Sequence, residues 1–148
     1  MTVIVWDGET LATDKAATDG AAKWEAVKAW HHHDAFKGPL ILSGAGPLQT
    51  ILTMRNWVLD GALQNKFPSV QLTPQFCHFV VISRTGLIRY EQGPIPIDHG
   101  RDKCAFGEGK DFAYGAMAMG ATAFQAVEIA NRYSSCCGLG VATYALLK

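Results

Sequence analysis

The order of apolar and polar positions predicts two short strands at the beginning of the chain. TVIVW at 2–6 is rich in β-branched side chains, and a second run, TLATDKAAT, follows at 10–18. Asp7-Gly8 separates the two runs, and Asp-Gly in this position is a strong signal for a tight β-turn. We therefore expect a hairpin with strands at 2–6 and 10–18.

A buried strand and a long helix are predicted next. PLILSGAG at 39–46 is an apolar run that ends in a glycine-rich turn. Pro47 then stands where proline is favoured, at the first position of a helix. Apolar residues recur after it with helical spacing, which predicts an amphipathic helix over 47–63; they are Leu48, Ile51, Leu52, Met54, Val58 and Leu59.

The middle of the chain predicts a second hairpin and then a loop. FCHFVVIS at 76–83 and LIRYEQG at 87–93 flank Arg84-Thr85-Gly86, which is typical of a turn. The segment that follows, GPIPIDHG at 93–100, contains two prolines. Because proline cannot serve in a central strand, we expect a loop there.

The last third predicts a short strand, two helices and a final strand. CAFGEG at 104–109 is a strand entering a glycine turn, and the Ala-rich segments 110–120 and 122–133 have helical periodicity. Thr122 is placed to cap the second helix, and 137–148 predicts a strand. This order of elements, without linker or repeat, predicts one layered α/β or α+β domain over 1–148.

Residues 21–34, AAKWEAVKAWHHHD, are ambiguous. Their Ala, Lys and Glu content favours a helix, whereas Trp24, Ala26, Lys28 and Trp30 recur with the period of two that is typical of a strand. On a strand, His31 and His33 would share one face, as a metal site requires. A surface turn is the favoured interpretation of 31–34.

Composition narrows the possible partners and compartment. The 148 residues carry 13 basic and 13 acidic side chains, so nothing indicates binding to nucleic acid. The four cysteines lack CxxC spacing, and Cys136 and Cys137 are adjacent, which suggests reduced thiols. With no signal peptide and no membrane-spanning apolar run, we expect a soluble cytoplasmic protein.

Thr2 suggests a nucleophile. A methionine followed by a small residue is a usual substrate for methionine removal, which would leave Thr2 with a free α-amine beside its hydroxyl. An α-amine has a reference pKa of about 7.7–8.0, so it can accept the hydroxyl proton near neutral pH. Thr2 would then be nucleophile and base in one residue.

Three stretches together resemble proteasome β-type subunits and their HslV-type relatives among the N-terminal-nucleophile (Ntn) hydrolases. They are the opening T-x-I-V with LATDKAATDG, the SGAG turn before the first long helix, and FGEGKDFAYGAMAMGATAFQAVEIA. The resemblance implies an α+β, four-layer αββα sandwich. It also implies that 21–33 is a strand, against its propensity, and that the chain is a small phage or bacterial homologue.

The resemblance also implies the site. Thr2 would be the nucleophile, Asp14 the aspartate that fixes a lysine, and Lys28, in preference to Lys23, that lysine. A main-chain N–H of Ser43 or Gly44 would face the oxyanion. No cofactor or metal is implied.

Three positions depart from the family pattern. Glu108 stands where a serine would position the amine, Ser134 replaces an aspartate, and Cys137 replaces a serine. The nucleophile, aspartate and lysine are retained while the residues around them change. We therefore expect activity below that of typical relatives.

The implied function is that of a threonine endopeptidase acting on polypeptides in a self-assembled ring, with a separate ATP-dependent unfoldase as a partner. Apolar helix faces at Trp57, Met117 and Met119 favour the ring. Two alternatives remain: an inactive scaffold with the same fold, and an Ntn amidohydrolase that acts on a small amide.

Overall fold

The computed structural model describes residues 2–68 and 77–146. Met1, Phe76 at the start of the predicted second hairpin, and the last two residues of the predicted final strand lie outside the described residues. Three α-helices and eleven strands are found in the described part: β1 Val3–Trp6, β2 Thr10–Asp14, β3 Ala16–Asp19, β4 Ala22–Glu25, β5 Ala29–Asp34, β6 Gly38–Ala45, α1 Leu48–Leu59, β7 His78–Ser83, β8 Gly86–Tyr90, β9 Ile97–Gly100, β10 Cys104–Gly107, α2 Lys110–Ala118, α3 Ala123–Tyr133 and β11 Val141–Ala145.

Nine of these strands form two antiparallel sheets. One sheet has four strands in the order β10-β1-β2-β11, and the other has five in the order β5-β6-β7-β8-β9. The remaining pair, β3 and β4, forms a separate antiparallel hairpin. The Asp7-Gly8 turn joins β1 to β2, as predicted.

Three apolar cores separate four layers. Helix α1 packs on the outer face of the five-stranded sheet through Ile51, Met54 and Trp57. The inner faces of the two sheets meet around residues such as Ile4 and Val80. The outer face of the four-stranded sheet packs on α2 and α3. The predicted α+β, four-layer αββα sandwich is confirmed.

Local signals placed the helices correctly. Thr122 caps α3: its Oγ1 accepts from the Gln125 N–H at 3.2 Å, and the Gln125 side chain accepts from the Thr122 N–H at 3.0 Å. This reciprocal pair satisfies two amides that the helix itself leaves without acceptors. Helix α1 begins at Leu48, directly after Pro47, which was predicted to be its first residue, and it ends at Leu59, before the predicted end at 63.

Residues 21–34 are extended, so their helical propensity is overridden by sheet pairing. The segment is not one strand, however, because β4 ends at Glu25 and β5 begins at Ala29. Similarly, the predicted strand over 10–18 divides at Lys15. The surface turn expected at 31–34 is wrong: His31 to His33 are exposed, but they belong to the edge strand β5.

The loop predicted for 93–100 is wrong at its end. Ile97–Gly100 form β9, which pairs with β8 only and lies at the edge of the five-stranded sheet. Pro94 and Pro96 precede the strand, so they remove no hydrogen bond from it. The prolines mark where this strand begins rather than excluding it.

Two of the three apolar residues that were expected on exposed helix faces are buried. Trp57 and Met117 are 5% and 4% exposed and belong to the cores, whereas Met119 is 90% exposed. Trp57 and Met117 are buried because α1 packs on one sheet and α2 on the other, so each helix has a core of its own. Within the described residues, no helix is both long and apolar enough to cross a bilayer.

Candidate active site

Thr2 lies buried at the start of β1, the second strand of the four-stranded sheet. The register of β1 with β10 sets Val3 opposite Gly107, at the entrance to α2. The Gly109 N–H donates to the Thr2 carbonyl oxygen at 3.3 Å. A side chain at Gly107 would collide with that carbonyl group. The glycine turn before α2 therefore lies directly against the Thr2 backbone.

Asp14 ends β2 and is completely buried beside Thr2, because the β1–β2 register sets Ile4 opposite Thr13. Its Oδ1 accepts from the Val3 N–H at 3.1 Å and from the Thr2 hydroxyl at 3.3 Å. Its Oδ2 accepts from the N–H groups of Ala16, at 3.3 Å, and Gly138, at 3.2 Å. These donors offset the cost of burying a carboxylate.

Lys28 lies immediately before β5 and joins the other two side chains. Its Nζ donates to the Thr2 Oγ1 and, at 2.7 Å, to the Asp14 Oδ1. The Lys28 side chain is 10% exposed. Burial lowers the pKa of Lys28 from its ordinary value, and the Asp14 carboxylate opposes this shift.

The structure brings Lys28, and not Lys23, to Thr2. Lys23 lies on the exposed hairpin strand β4, and a Cβ built on Gly138 would be 2.7 Å from its Nζ. The geometry thus agrees with the preference for Lys28 that the sequence suggested. The ion pair of Lys28 with Asp14 also fixes where the ammonium group lies relative to the Thr2 hydroxyl.

Ser43 and Gly44, the candidates for the oxyanion amide, lie on β6. Ser43 is completely buried, pairs with Ala29 and Val80, and donates its hydroxyl to the Lys28 carbonyl oxygen at 2.6 Å. Gly44 packs so closely on α1 that an added Cβ would be 2.9 Å from Ile51 Cγ1. Ser43 therefore anchors the backbone of Lys28, and Gly44 requires glycine for packing.

Residues 134–138, where Ser134 and Cys137 depart from the pattern of the family that the sequence resembles, also contact the site. Ser134 ends α3, and its hydroxyl accepts from the Cys136 N–H at 3.2 Å. Cys137 is 2% exposed, and burial, together with the nearby Asp14 charge, raises the pKa of its thiol to about 11. Cys137 is therefore a neutral thiol near pH 7. Its sulfur and the Val3 side chain both lie against Gly109, and Cys137 and Val3 belong to the same apolar core.

Three glycines near Thr2 were not recognised from the sequence as parts of the site. Gly107 and Gly109 were assigned to a glycine turn before a helix, and Gly138 was given no role, yet each brings backbone against Thr2 or Asp14. The repeated glycines themselves were the available signal, because glycine is favoured where two segments approach closely. Glu108, between the first two, is exposed.

The exposed histidines of β5 are not part of a metal-binding cluster among the described side chains. In residues 2–68 and 77–146, no group of three or more His, Cys, Asp or Glu side chains is arranged to hold a metal ion. The Asp34 carboxylate instead accepts from the N–H groups of Phe36 and Lys37, both at 2.8 Å.

Solved structures with the same arrangement of elements cover nearly the whole chain. Eukaryotic HslV from Trypanosoma brucei matches with a TM-score of 0.67 over 97% of each chain, at 19% identity. BPH from Thiobacillus denitrificans matches with a TM-score of 0.68 over 100% of this chain and 98% of its own, at 16% identity. The fold is that of HslV.

The Anbu (Gly-1) mutant from Hyphomicrobium sp. strain MC1 shares the HslV fold more distantly in sequence. It matches with a TM-score of 0.71 over 99% of this chain and 83% of its own, at 11% identity. No protein-family model and no curated protein matches the sequence. The similarity to HslV is therefore a similarity of fold, and only the side chains of this chain indicate its chemistry.

Proposed function

We propose that the chain is a threonine-type endopeptidase whose nucleophile is Thr2 after removal of Met1. The observation that carries this proposal is the Lys28 ammonium group, which contacts the Thr2 hydroxyl and the buried Asp14 carboxylate together. A buried lysine beside a hydroxyl favours the deprotonated oxygen, and the carboxylate keeps the lysine oriented.

In the proposed reaction the α-amine of Thr2 takes the proton from its own hydroxyl, and the oxygen attacks a peptide carbonyl carbon. Lys28 stabilises the developing charge on Oγ1. A main-chain N–H of Ser43 or Gly44 stabilises the charge on the carbonyl oxygen. The amine of the leaving peptide departs with a proton, and water then hydrolyses the acyl-enzyme ester and restores the hydroxyl.

We also propose that residues 1–148 act as one unit, that copies of the chain assemble into a ring, and that a separate ATP-dependent unfoldase supplies polypeptides. Several large apolar side chains on or beside α2 and α3 remain exposed in the single chain and support an assembly: Phe112, Tyr114, Met119, Phe124 and Tyr133.

BPH from Thiobacillus denitrificans was solved in complex with epoxomicin. We expect this chain to bind the same class of inhibitor.

The test compares three forms of residue 2 in protein whose intact mass confirms the loss of Met1. Thr2→Ala keeps a small residue for methionine removal but has no hydroxyl, and we expect no peptide hydrolysis. Thr2→Ser keeps a hydroxyl, and we expect measurable turnover. Thr13→Ala is the matched control, because Thr13 is buried on the neighbouring strand and has no role in the proposed chemistry.

Equal hydrolysis by the Thr2→Ala variant would exclude Thr2 as the nucleophile. No hydrolysis by any form, in protein confirmed to begin at Thr2, would favour the inactive scaffold. Circular dichroism and thermal unfolding of each variant show whether a loss of turnover comes from a loss of fold.

A further inference from the structure

A second polar cluster, outside the Thr2 site, surrounds the ring of Phe106 on β10. The ring centroids of His78 and His99 lie 5.6 Å and 5.8 Å from that of Phe106. The guanidinium carbon of Arg89 is 5.4 Å from the same centroid. His78, Arg89 and His99 come from β7, β8 and β9 of the five-stranded sheet, whereas Phe106 belongs to the four-stranded sheet. The cluster therefore joins the two sheets.

Hydrogen bonding within the cluster requires a neutral His78. The Arg89 Nη1 lies 3.4 Å from the His78 Nδ1. A guanidinium group can only donate, so Nδ1 has to accept and must keep its lone pair. Protonation of the imidazole would turn a donor–acceptor contact into two facing donors.

A neutral His99 is favoured for a related reason. Its Nε2 is buried and has no hydrogen-bond partner in the part of the chain that the structure describes. A bare ring nitrogen is tolerated beside an aromatic ring, but a protonated ring would bury an N–H donor without an acceptor. The Arg89 contact of His78 and the buried Nε2 of His99 thus favour the uncharged state of both rings.

The charges around the two rings reinforce this preference. Burial lowers the pKa of His78 and of His99, and the Arg89 charge lowers both further. Lys110 acts on His78 in the same direction, while Glu91 opposes it for both rings, and Asp98 and Asp102 oppose it for His99. Glu91 lies 3.7 Å from the His78 Nδ1 but also pairs with Arg89, at 3.0 Å. Cys104, on β10, remains a neutral thiol because burial raises its pKa to about 12.

We propose that His78 and His99 form an acid-sensitive latch that holds β10 against the five-stranded sheet when both rings are neutral and releases it when they are protonated. β10 pairs with β1 through Phe106 opposite Ile4 and Gly107 opposite Val3. Release of β10 would therefore loosen β1, the strand that directly follows Thr2. Neither the latch nor its opening depends on catalysis at Thr2.

The direction of the pH effect follows from proton linkage. The unfolded chain binds protons on histidine near pH 6.5, whereas the folded chain resists them to lower pH. The stabilisation is therefore complete above about pH 6.5 and is lost as the pH falls toward the folded-state values. As the pH falls from 7.5 to 5.5, two such histidines should increase the unfolding equilibrium constant by roughly tenfold or more.

Urea denaturation at pH 7.5 and 5.5 tests the latch with a matched pair of double variants. His78→Gln with His99→Gln replaces both rings by amides that cannot be charged, and His32→Gln with His33→Gln makes the same change on the exposed strand β5. We expect the first variant to lose most of the acid-dependent destabilisation and the second to keep all of it. Equal acid sensitivity in the first variant and the unaltered protein would overturn the proposal.

Two measurements on the unaltered protein remain decisive if the first variant does not fold. Hydrogen exchange, corrected for its intrinsic pH dependence, should show that amides of 104–107 open more readily at pH 5.5 than at 7.5. Histidine ring titration by NMR should give pKa values for His78 and His99 below the ordinary histidine value of about 6.5. Unchanged protection of 104–107, or titration of His78 and His99 at or above that ordinary value, contradicts the latch.

Discussion

Two polar clusters lie within the same stack of layers, and they satisfy their charges differently. At Asp14, backbone amides, a hydroxyl and the Lys28 ammonium group converge on one buried carboxylate. Around Phe106, Arg89 and His78 lie close to Glu91, and two buried nitrogens, Arg89 Nε and His99 Nε2, have no hydrogen-bond partner among the described residues. The first cluster pairs an anion with a cation, whereas the second sets two histidines beside an Arg89–Glu91 pair.

This difference determines how each cluster responds to protons. The Asp14 carboxylate is held in place by four hydrogen-bond donors of the surrounding chain and by its ion pair with Lys28. The Phe106 cluster holds its geometry only while two imidazoles stay neutral. One sandwich thus contains a site suited to chemistry at constant charge and a contact suited to opening in acid.

Breaking the balanced cluster should give the largest effect. Lys28→Met keeps a long apolar stem but removes the charge, which leaves Asp14 buried without its cationic partner. We expect turnover to fall by about 100-fold or more, as for the loss of a preorganised charge. We also expect the free energy of unfolding to fall by about 3–5 kcal/mol, as for breaking a buried ion pair.

Lys23→Met is the matched control, because Lys23 lies on the exposed strand β4. We expect its turnover and urea midpoint to stay close to those of the unaltered protein. Comparable losses in the two variants would mean that the contacts of Lys28 with Thr2 and Asp14 have no special importance.

Removing the Arg89 charge from the second cluster should have a smaller effect. Arg89→Gln removes the partly exposed pair with Glu91, at a cost of about 1 kcal/mol at pH 7.5. It also removes a charge that lowers the pKa of both histidines. The stability difference between pH 7.5 and 5.5 should therefore narrow in urea denaturation. A wider difference would show that Arg89 does not act on the histidines.

Glu108 should give the smallest effect. Its negative charge, on the turn that contacts the Thr2 backbone, is expected to favour the protonated amine of Thr2 and so to reduce the free base. Glu108→Ser should raise turnover near pH 7 by about threefold and move the pH profile downward, and Glu108→Gln should do the same because only the charge matters. If neither Glu108→Ser nor Glu108→Gln shifts the pH profile, the Glu108 charge does not affect the Thr2 amine.

Local signals were enough to predict much of the fold. Asp7-Gly8, Pro47 and Thr122 each act within a few residues, so the hairpin, α1 and the start of α3 could be placed from the sequence. Strand β9 could not be placed, because its partner β8 and its position at the sheet edge are not evident from the prolines before it. The helical propensity of 22–25 was likewise misleading, because this segment pairs with the preceding strand β3 in a local hairpin.

The candidate site was predictable in its side chains but not in its backbone. Thr2, Asp14 and Lys28 were chosen through the family resemblance, and the structure brings them into contact. The N–H groups of Gly109 and Gly138 come from more than 100 residues away along the chain. A glycine in the sequence can indicate a close approach of backbone, but it does not show which segment lies against it. The sequence therefore indicated which charges meet but not what orients them.

The proposed function requires that Thr2, once it is the first residue, is an activated nucleophile. Protein whose intact mass confirms the absence of Met1 is incubated with a threonine-directed epoxyketone, and the adduct is mapped by mass spectrometry, with Lys28→Met treated in parallel. We predict one adduct per chain, on Thr2, formed much more slowly in the Lys28→Met variant. An unmodified Thr2 in that protein would contradict the claim and leave the chain as a scaffold with the HslV fold.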